Sequence, residues 1–214
     1  MPILAIDTAT TDLVAGVVEG TGAGARTLAE ACVPTRAHNE TLVPEITRLL
    51  GEVGIGFADL EAVVVGCGPG PFTGLRVGMA TASALGQALG VPVHGVCTHD
   101  AVAATLGGDA LVVTDARRRE VYWARYAGGA RVDGPDVCKP ADLASPPVDV
   151  LSVPPGLAEQ VAVEAREVTY AAPTPAGLVA AADFSAASGP LVPLYLRRPD
   201  AVPPKQAPKS PALP

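Results

Sequence analysis

Gly66-Cys67-Gly68-Pro69-Gly70-Pro71-Phe72-Thr73-Gly74-Leu75-Arg76 separates an apolar run from a long stretch of leucines and small residues. Ahead of it, Glu61 to Val65 predicts a short buried strand built on the β-branched Val63, Val64 and Val65. Behind it, Leu75, Met79, Ala82, Leu85 and Leu89 recur at helical spacing and predict a helix over 75–89. The glycines tolerate backbone conformations and close approaches closed to other residues, and the two prolines stiffen the turn. A strand, a Gly/Pro loop and a helix in this order aim bare amides at whatever nears the helix start. Gly68, Gly70 and Thr73 are therefore candidate contacts for an anion, a nucleotide or a partner backbone. A tight turn without a ligand explains the loop equally well. It is not a Walker-type phosphate loop, which needs a lysine followed by Ser or Thr, because the first lysine of the chain is Lys139.

Working toward the N-terminus, Ile3-Leu4-Ala5-Ile6 predicts a strand and Leu13 to Val18 a second. Asp7-Thr8-Ala9-Thr10-Thr11-Asp12 forms the turn between them, and Leu28 to Val33 predicts a third strand. Asn39 or Thr41 is the expected cap of a helix carrying Leu42, Ile46, Leu49 and Leu50 on one face, with Pro44 in its first turn. Strand, hairpin, strand, helix, strand, helix predicts a three-layer α/β unit. The pattern restarts after Gly107-Gly108: Leu111-Val112-Val113 leads into Thr114-Asp115-Ala116, and Glu120 to Tyr126 alternates as a second strand. This echo predicts two related α/β halves, the second reduced, with a boundary near 103–109. We expect an N-terminal half over 1–105, a C-terminal half over 106–198 with helices near 157–167 and 174–187, and a disordered Pro-rich tail over 199–214.

A net charge of −7 over 214 residues does not produce the field of a self-sufficient nucleic-acid binder. The exception is local: Arg117-Arg118-Arg119, grouped with Arg125 and Arg131, reads first as a solvated basic turn and second as an RNA or phosphate contact. Cys32, Cys67, Cys97 and Cys138 form no Cys-x-x-Cys pair and are expected as reduced thiols. Met1-Pro2-Ile3 opens no basic-then-apolar leader, and the charge-free interval 77–99 is broken by Gly86, Gln87, Gly90 and Pro92. A cytoplasmic protein without a membrane span is expected.

Asp7 could hold a metal-bound nucleotide with Thr8 and Thr10 donating to phosphate oxygens, or these residues close the hairpin through local hydrogen bonds. The second role is favoured, because no lysine accompanies them. His38, His94 and His99 show no metal-ligand spacing, and Thr73 and Ser83 lack a nucleophile's context. No metal, cofactor or catalytic set is expected. What stands out is surface: Gly78, Ala80, Ala82, Ala84 and Gly86 suit either tight internal packing or a helical interface with another chain.

Several stretches in order carry a resemblance to one family: Ile3 to Thr10, His38 to Pro44, Gly68 to Arg76, Asp115-Ala116-Arg117 with Glu120-Val121-Tyr122-Trp123, and Tyr195-Leu196-Arg197. Together they resemble the bacterial TsaB (YeaZ) family, the dimerisation subunit of the tRNA threonylcarbamoyladenosine machinery. Pro71 departs from the serine usual there, removing a hydroxyl and an amide from the loop. The resemblance implies an actin/Hsp70/sugar-kinase-like (ASKHA, RNase H-like) fold. It implies kinship with the catalytic TsaD subunit, whose metal is held by His-x-x-x-His; here the stretch reads His38-Asn39-Glu40-Thr41-Leu42, without the second ligand. Asp7, Thr8 and Thr10 would then be a vestigial nucleotide-type hairpin. Leu42, Ile46, Leu49, Gly74, Arg76, Gly78, Met79 and Ala82, on the two helices of the first half, would bind TsaD, and the same surface would give a homodimer in isolation. With the ATPase TsaE, such a complex transfers threonylcarbamoyl to N6 of adenosine 37 in tRNAs reading codons that start with A, and tRNA is met through the complex. The competing expectation is an active ATP-dependent phosphotransferase or peptidase of the same fold, with Asp7 and Asp115 as its carboxylates.

Overall fold

The computed structural model describes residues 1–197, so the tail expected over 199–214 lies outside the described residues. The first strands are β1 (Pro2–Asp7), β2 (Asp12–Glu19) and β3 (Arg26–Pro34), followed by helix α1 (His38–Val53), strand β4 (Ala62–Gly66), helix α2 (Phe72–Leu89) and strand β5 (Val93–Val96). They form a sheet of order β3-β2-β1-β4-β5, antiparallel across the hairpins and parallel across β1-β4 and β4-β5. Helix α3 (Thr98–Ala103) leads into β6 (Ala110–Arg117), β7 (Glu120–Ala127), β8 (Ala130–Cys138), β9 (Val148–Ser152), β10 (Ala165–Thr169) and helix α4 (Pro175–Ala181). The second sheet runs β10-β9-β6-β7-β8.

Read from β8 inward, the second sheet repeats the first strand for strand and direction for direction: β6 takes the place of β1, β7 of β2, β8 of β3, β9 of β4 and β10 of β5. Where the first half has α1 and α2, the second has only short 3-10 turns at Pro140–Asp142 and Pro155–Gln160. Two related α/β halves with the second stripped of its helices is the actin/Hsp70/sugar-kinase-like arrangement.

Alternation along the strands sorts the core into layers. Leu4, Ile6, Leu13, Val17, Val63 and Val65 face α1 and α2, meeting Leu42, Ile46, Leu49, Leu75, Met79 and Ala82. Ile3, Ala5, Val14, Val18 and Val64 face the other way, onto Ala101 of α3 and Leu178 and Val179 of α4. The other side of α3 packs Val102 and Ala103 on Val112, Ala124 and Tyr126 of the second sheet.

Several local expectations need correction. The first helix begins at His38 with Ala37 at its cap position, so neither Asn39 nor Thr41 caps it; Thr41 instead returns its hydroxyl to the Ala37 carbonyl at 2.9 Å. Pro44 consequently sits in the second turn, where it deprives the Glu40 carbonyl of a donor, and both residues are exposed, so water supplies the bond. The helix expected over 157–167 is a 3-10 turn followed by β10, and that over 174–187 is the single α4, capped by the Thr174 hydroxyl accepting from Gly177 N–H at 3.0 Å. The strands β8, β9 and β10 and helix α3 are additional to the expected elements.

Candidate functional site

The Gly/Pro loop, the hydroxyl-rich hairpin turn and the first turn of α3 converge on Asp7, which has no solvent exposure. Its Oδ1 accepts the Ala9 N–H at 2.7 Å, and its Oδ2 accepts the Thr98 hydroxyl at 2.7 Å. Thr98 Oγ1 in turn accepts from Gly68 N–H at 3.3 Å, while the Thr98 N–H donates to the Gly68 carbonyl at 2.7 Å. Burial raises the Asp7 pKa from 3.8 to about 6, against the two hydrogen bonds that favour its charge. Gly66 is required here, since a Cβ on it would lie 1.8 Å from Asp7 Oδ2. The loop amides of Cys67 and Gly68 are thus spent within the fold, on the Val96 carbonyl and Thr98.

Thr8 is equally buried, and its position is unusual. Its hydroxyl donates to the Gly74 carbonyl at 2.7 Å and accepts from the Gly78 N–H at 3.0 Å, so it bridges the two groups that an α-helix would join directly. Gly70, Gly74 and Gly78 let the hairpin come this close: a Cβ on them would lie 2.1 Å from the Ala9 carbonyl oxygen, 2.5 Å from that of Thr8 and 2.5 Å from Thr8 Oγ1. Thr10 closes an ST-turn with Asp12, and its carbonyl accepts from His38 Nε2 at 2.9 Å. Asp7 and Thr8 are therefore sealed inside the fold, their side-chain oxygens bonded to the chain itself. Thr73, by contrast, is exposed on the first turn of α2.

The expected docking residues are likewise relocated. Leu42, Ile46, Leu49 and Ala82 are buried within the chain, as are Gly78 and Met79, because they face the sheet; Gly74 is half-buried against Thr8. The outer faces of α1 and α2 present Val43, Thr47, Ala80, Ser83, Ala84 and Arg76 instead. At the start of α2 the Arg76 guanidinium lies 3.9 Å above the exposed Phe72 ring, which stacks on Tyr195 at 5.1 Å, and Arg76 Nε donates to the Tyr195 hydroxyl at 3.1 Å. Sequence reasoning put Arg76 here but missed Phe72 and Val43; an aromatic at the first helical position facing away from the apolar stripe was the available signal.

Asp115 does not join Asp7. It is exposed, with Oδ1 accepting the Arg117 N–H at 2.6 Å. Arg117, Arg118 and Arg119 are exposed at the β6–β7 turn, but Arg125 and Arg131 are not part of that cluster. Arg131 pairs with Asp100 at 3.3 Å near the far end of the hairpin, six residues or roughly 20 Å along β7. His99 is buried, with Nε2 2.9 Å from Thr114 Oγ1, and burial beside Arg131 lowers its pKa to about 3. All four cysteines are free thiols, and burial pushes Cys67 up to about 12 and Cys97 to about 11. Among the described residues no group of three or more His, Cys, Asp or Glu is placed to hold a metal ion, and no helix is long and apolar enough to cross a membrane.

Residues 32–195 match the family model described as TsaD: tRNA N6-adenosine threonylcarbamoyltransferase. An uncharacterized protein of Mycobacterium leprae is 53% identical over 203 residues, covering 94% of this chain but 56% of the relative. The tRNA threonylcarbamoyladenosine biosynthesis protein TsaB of Escherichia coli is 34% identical over 131 residues, covering 59% of this chain and 55% of that one. The solved structure of YeaZ from Pseudomonas aeruginosa superimposes with a TM-score of 0.70 at 26% identity, covering 83% and 88% of the two chains.

Proposed function

Because the chain belongs to the TsaB (YeaZ) family, we propose that it serves threonylcarbamoyladenosine biosynthesis in tRNA as a non-catalytic docking subunit for TsaD. The observation that carries this reading is the closure of the Asp7 centre: a phosphotransferase of this fold needs the first-strand carboxylate open to a metal-bound nucleotide, whereas here both oxygens are bonded inward with no exposure. Nor do Cys67 and Cys97, held as protonated thiols by burial, serve as nucleophiles.

The docking surface is the outer face of α1 and α2. Leu42, Ile46, Leu49, Leu75 and Met79 are committed to the core, leaving Ala80, Ala84 and Val43 where a partner helix can approach. The Phe72–Arg76–Tyr195 cluster has the aromatic and arginine composition of an interface anchor. The partners are TsaD, then TsaE, with tRNA met through the assembled complex in the cytoplasm; alone, the same faces pair two copies of the chain.

The test is co-purification with TsaD followed by modification of a tRNA bearing A37 in the presence of TsaD, TsaE and ATP. Omitting this chain should abolish modification, as should Val43→Asp combined with Ala84→Arg, while circular dichroism stays unchanged. Asp7→Asn should retain modification. Turnover of ATP or a peptide by the purified chain alone, or full activity of the outer-face variant, overturns the reading. Charges at Met79 or Ile46 would probe folding instead, since both are buried.

A further inference from the structure

The two hairpin turns that occupy equivalent places in the halves have opposite fates. Asp7-Thr8-Ala9-Thr10-Thr11-Asp12 in the first occupies the place that Asp115-Ala116-Arg117-Arg118-Arg119-Glu120 holds in the second, where the loop between paired residues is one residue shorter. The first acid of each turn accepts the same bond, Asp7 Oδ1 from Ala9 N–H and Asp115 Oδ1 from Arg117 N–H. The first turn is sealed by α2 and His38, whereas only short 3-10 turns, and no α-helix, follow β8 and β9 in the second. In that open position stand three consecutive arginines, all exposed.

Their backbone sharpens the point. Arg117, Arg118 and Arg119 have φ of 61°, 52° and 63°, in the left-handed region that favours glycine or asparagine. Glycine or asparagine meets this backbone most easily, so three arginines in it carry a local conformational cost. At the base of the turn Asp115 Oδ1 accepts the Arg117 N–H, and Glu120 pairs with Arg197 Nε at 3.0 Å. Arg197 Nη1 also donates to the Ala116 carbonyl at 2.9 Å, setting a fourth cation beneath the turn.

Resting on the function proposed above, we infer that the β6–β7 turn grips the phosphate backbone of tRNA held in the assembled complex. Planar guanidinium forks match phosphate oxygens. None of the exposed large apolar residues lies in the turn, which sets it apart from a protein-docking anchor. With a net charge of −7 the chain has no general attraction for RNA, so the turn depends on the complex for the rest of the grip.

The experiment uses the complex of the full chain with TsaD and TsaE, and an unmodified tRNA transcript as probe. Arg117→Asn, Arg118→Asn and Arg119→Gly are introduced together, residues suited to the turn's backbone. The variant complex should elute as the wild type does, bind tRNA at least about tenfold more weakly at moderate salt, and lose about two to three from the slope of log affinity against log salt. An assembled variant with unchanged affinity and slope overturns the inference alone. Loss of assembly by the variant assigns the turn to a protein contact and likewise overturns it. Failure of the wild-type chain to assemble with TsaD removes the proposed function, and this inference with it.

Discussion

At the scale of single residues, Asp7 on β1 and His99 on α3 hold opposed titrations, His99 being the neighbour of the Thr98 whose hydroxyl bonds Asp7. Asp7 has a folded pKa of about 6 against 3.8 in its ordinary state. Its contribution to stability is full below the lower value and is lost as pH rises to about 6, because the native state holds the proton that the unfolded state has released. His99 moves from 6.5 to about 3. Its contribution is full above 6.5 and is lost as pH falls, because the unfolded chain takes up the proton first. Each slope is about 1.4 kcal/mol per pH unit, so between about pH 4 and 6 the two nearly cancel. Asp7→Asn should therefore gain on the wild type by about 2–3 kcal/mol between pH 4 and 6 and gain nothing more above. His99→Gln should gain on it as pH falls through the same window. Urea unfolding at pH 4, 5, 6 and 7 reads both differences; a pH-independent gap for Asp7→Asn would mean that the carboxylate meets water, and the sealed centre would be wrong.

At the scale of elements, α2 is shaped by what crosses it. With the Thr8 hydroxyl bridging Gly74 and Gly78, Thr8→Val strands both backbone groups and should cost about 1–3 kcal/mol, whereas Thr8→Ser should cost far less. Gly78→Ala drives a methyl into Thr8 and should cost about 1–3 kcal/mol. Gly51→Ala, in α1 with open space around it, should instead stabilise by about 0.5–1 kcal/mol. Equal effects in denaturant melts for Gly78→Ala and Gly51→Ala would refute the close approach. The sequence made this helix legible, along with the first hairpin and β4, because long runs at period 2 or 3.6 survive local noise. It showed that small residues on α2 meant a close neighbour, but not that the neighbour was the chain's own β1–β2 turn, since both outcomes demand the same glycines. The strands β9 and β10 escaped because they are five residues each, β9 is flanked by prolines, and β10 is mostly polar on an edge. Leu157 to Glu167 mimicked a helix through its alanines and glutamates, yet the chain needed a fifth strand there to complete the repeated sheet.

At the scale of the whole molecule, the halves are joined by elements that belong to neither sheet alone. The first turn of α3 bonds Thr98 to Asp7 at the end of β1 and His99 to Thr114 within β6, tying together the equivalent strands of the two sheets. Helix α4 follows the last strand of the second sheet but returns Leu178 and Val179 to the first. There Pro175 presses on Gly16, whose missing Cβ would lie 2.4 Å from the proline ring. The final described segment runs from one half to the other: Leu191 packs with the α1–α2 core, Leu194 N–H donates to the Cys67 carbonyl at 2.9 Å, and Arg197 reaches Glu120 and Ala116. Tyr170 adds a hydrogen bond from beyond β10 to Asp12 on β2. A chain laced in this way should lose its first half when the second is removed. Expressed alone, residues 1–105 should expose the face of Ile3, Ala5, Val14, Val18 and Val64 that α4 covers, and that apolar surface would drive collapse or aggregation. We expect the fragment to bind a hydrophobic dye and to lack dispersed amide resonances, and the 1–197 chain to unfold in one cooperative transition by calorimetry. A folded, monomeric 1–105 fragment with a sharp thermal transition would show that the first sheet closes its own core and that α4 merely decorates it.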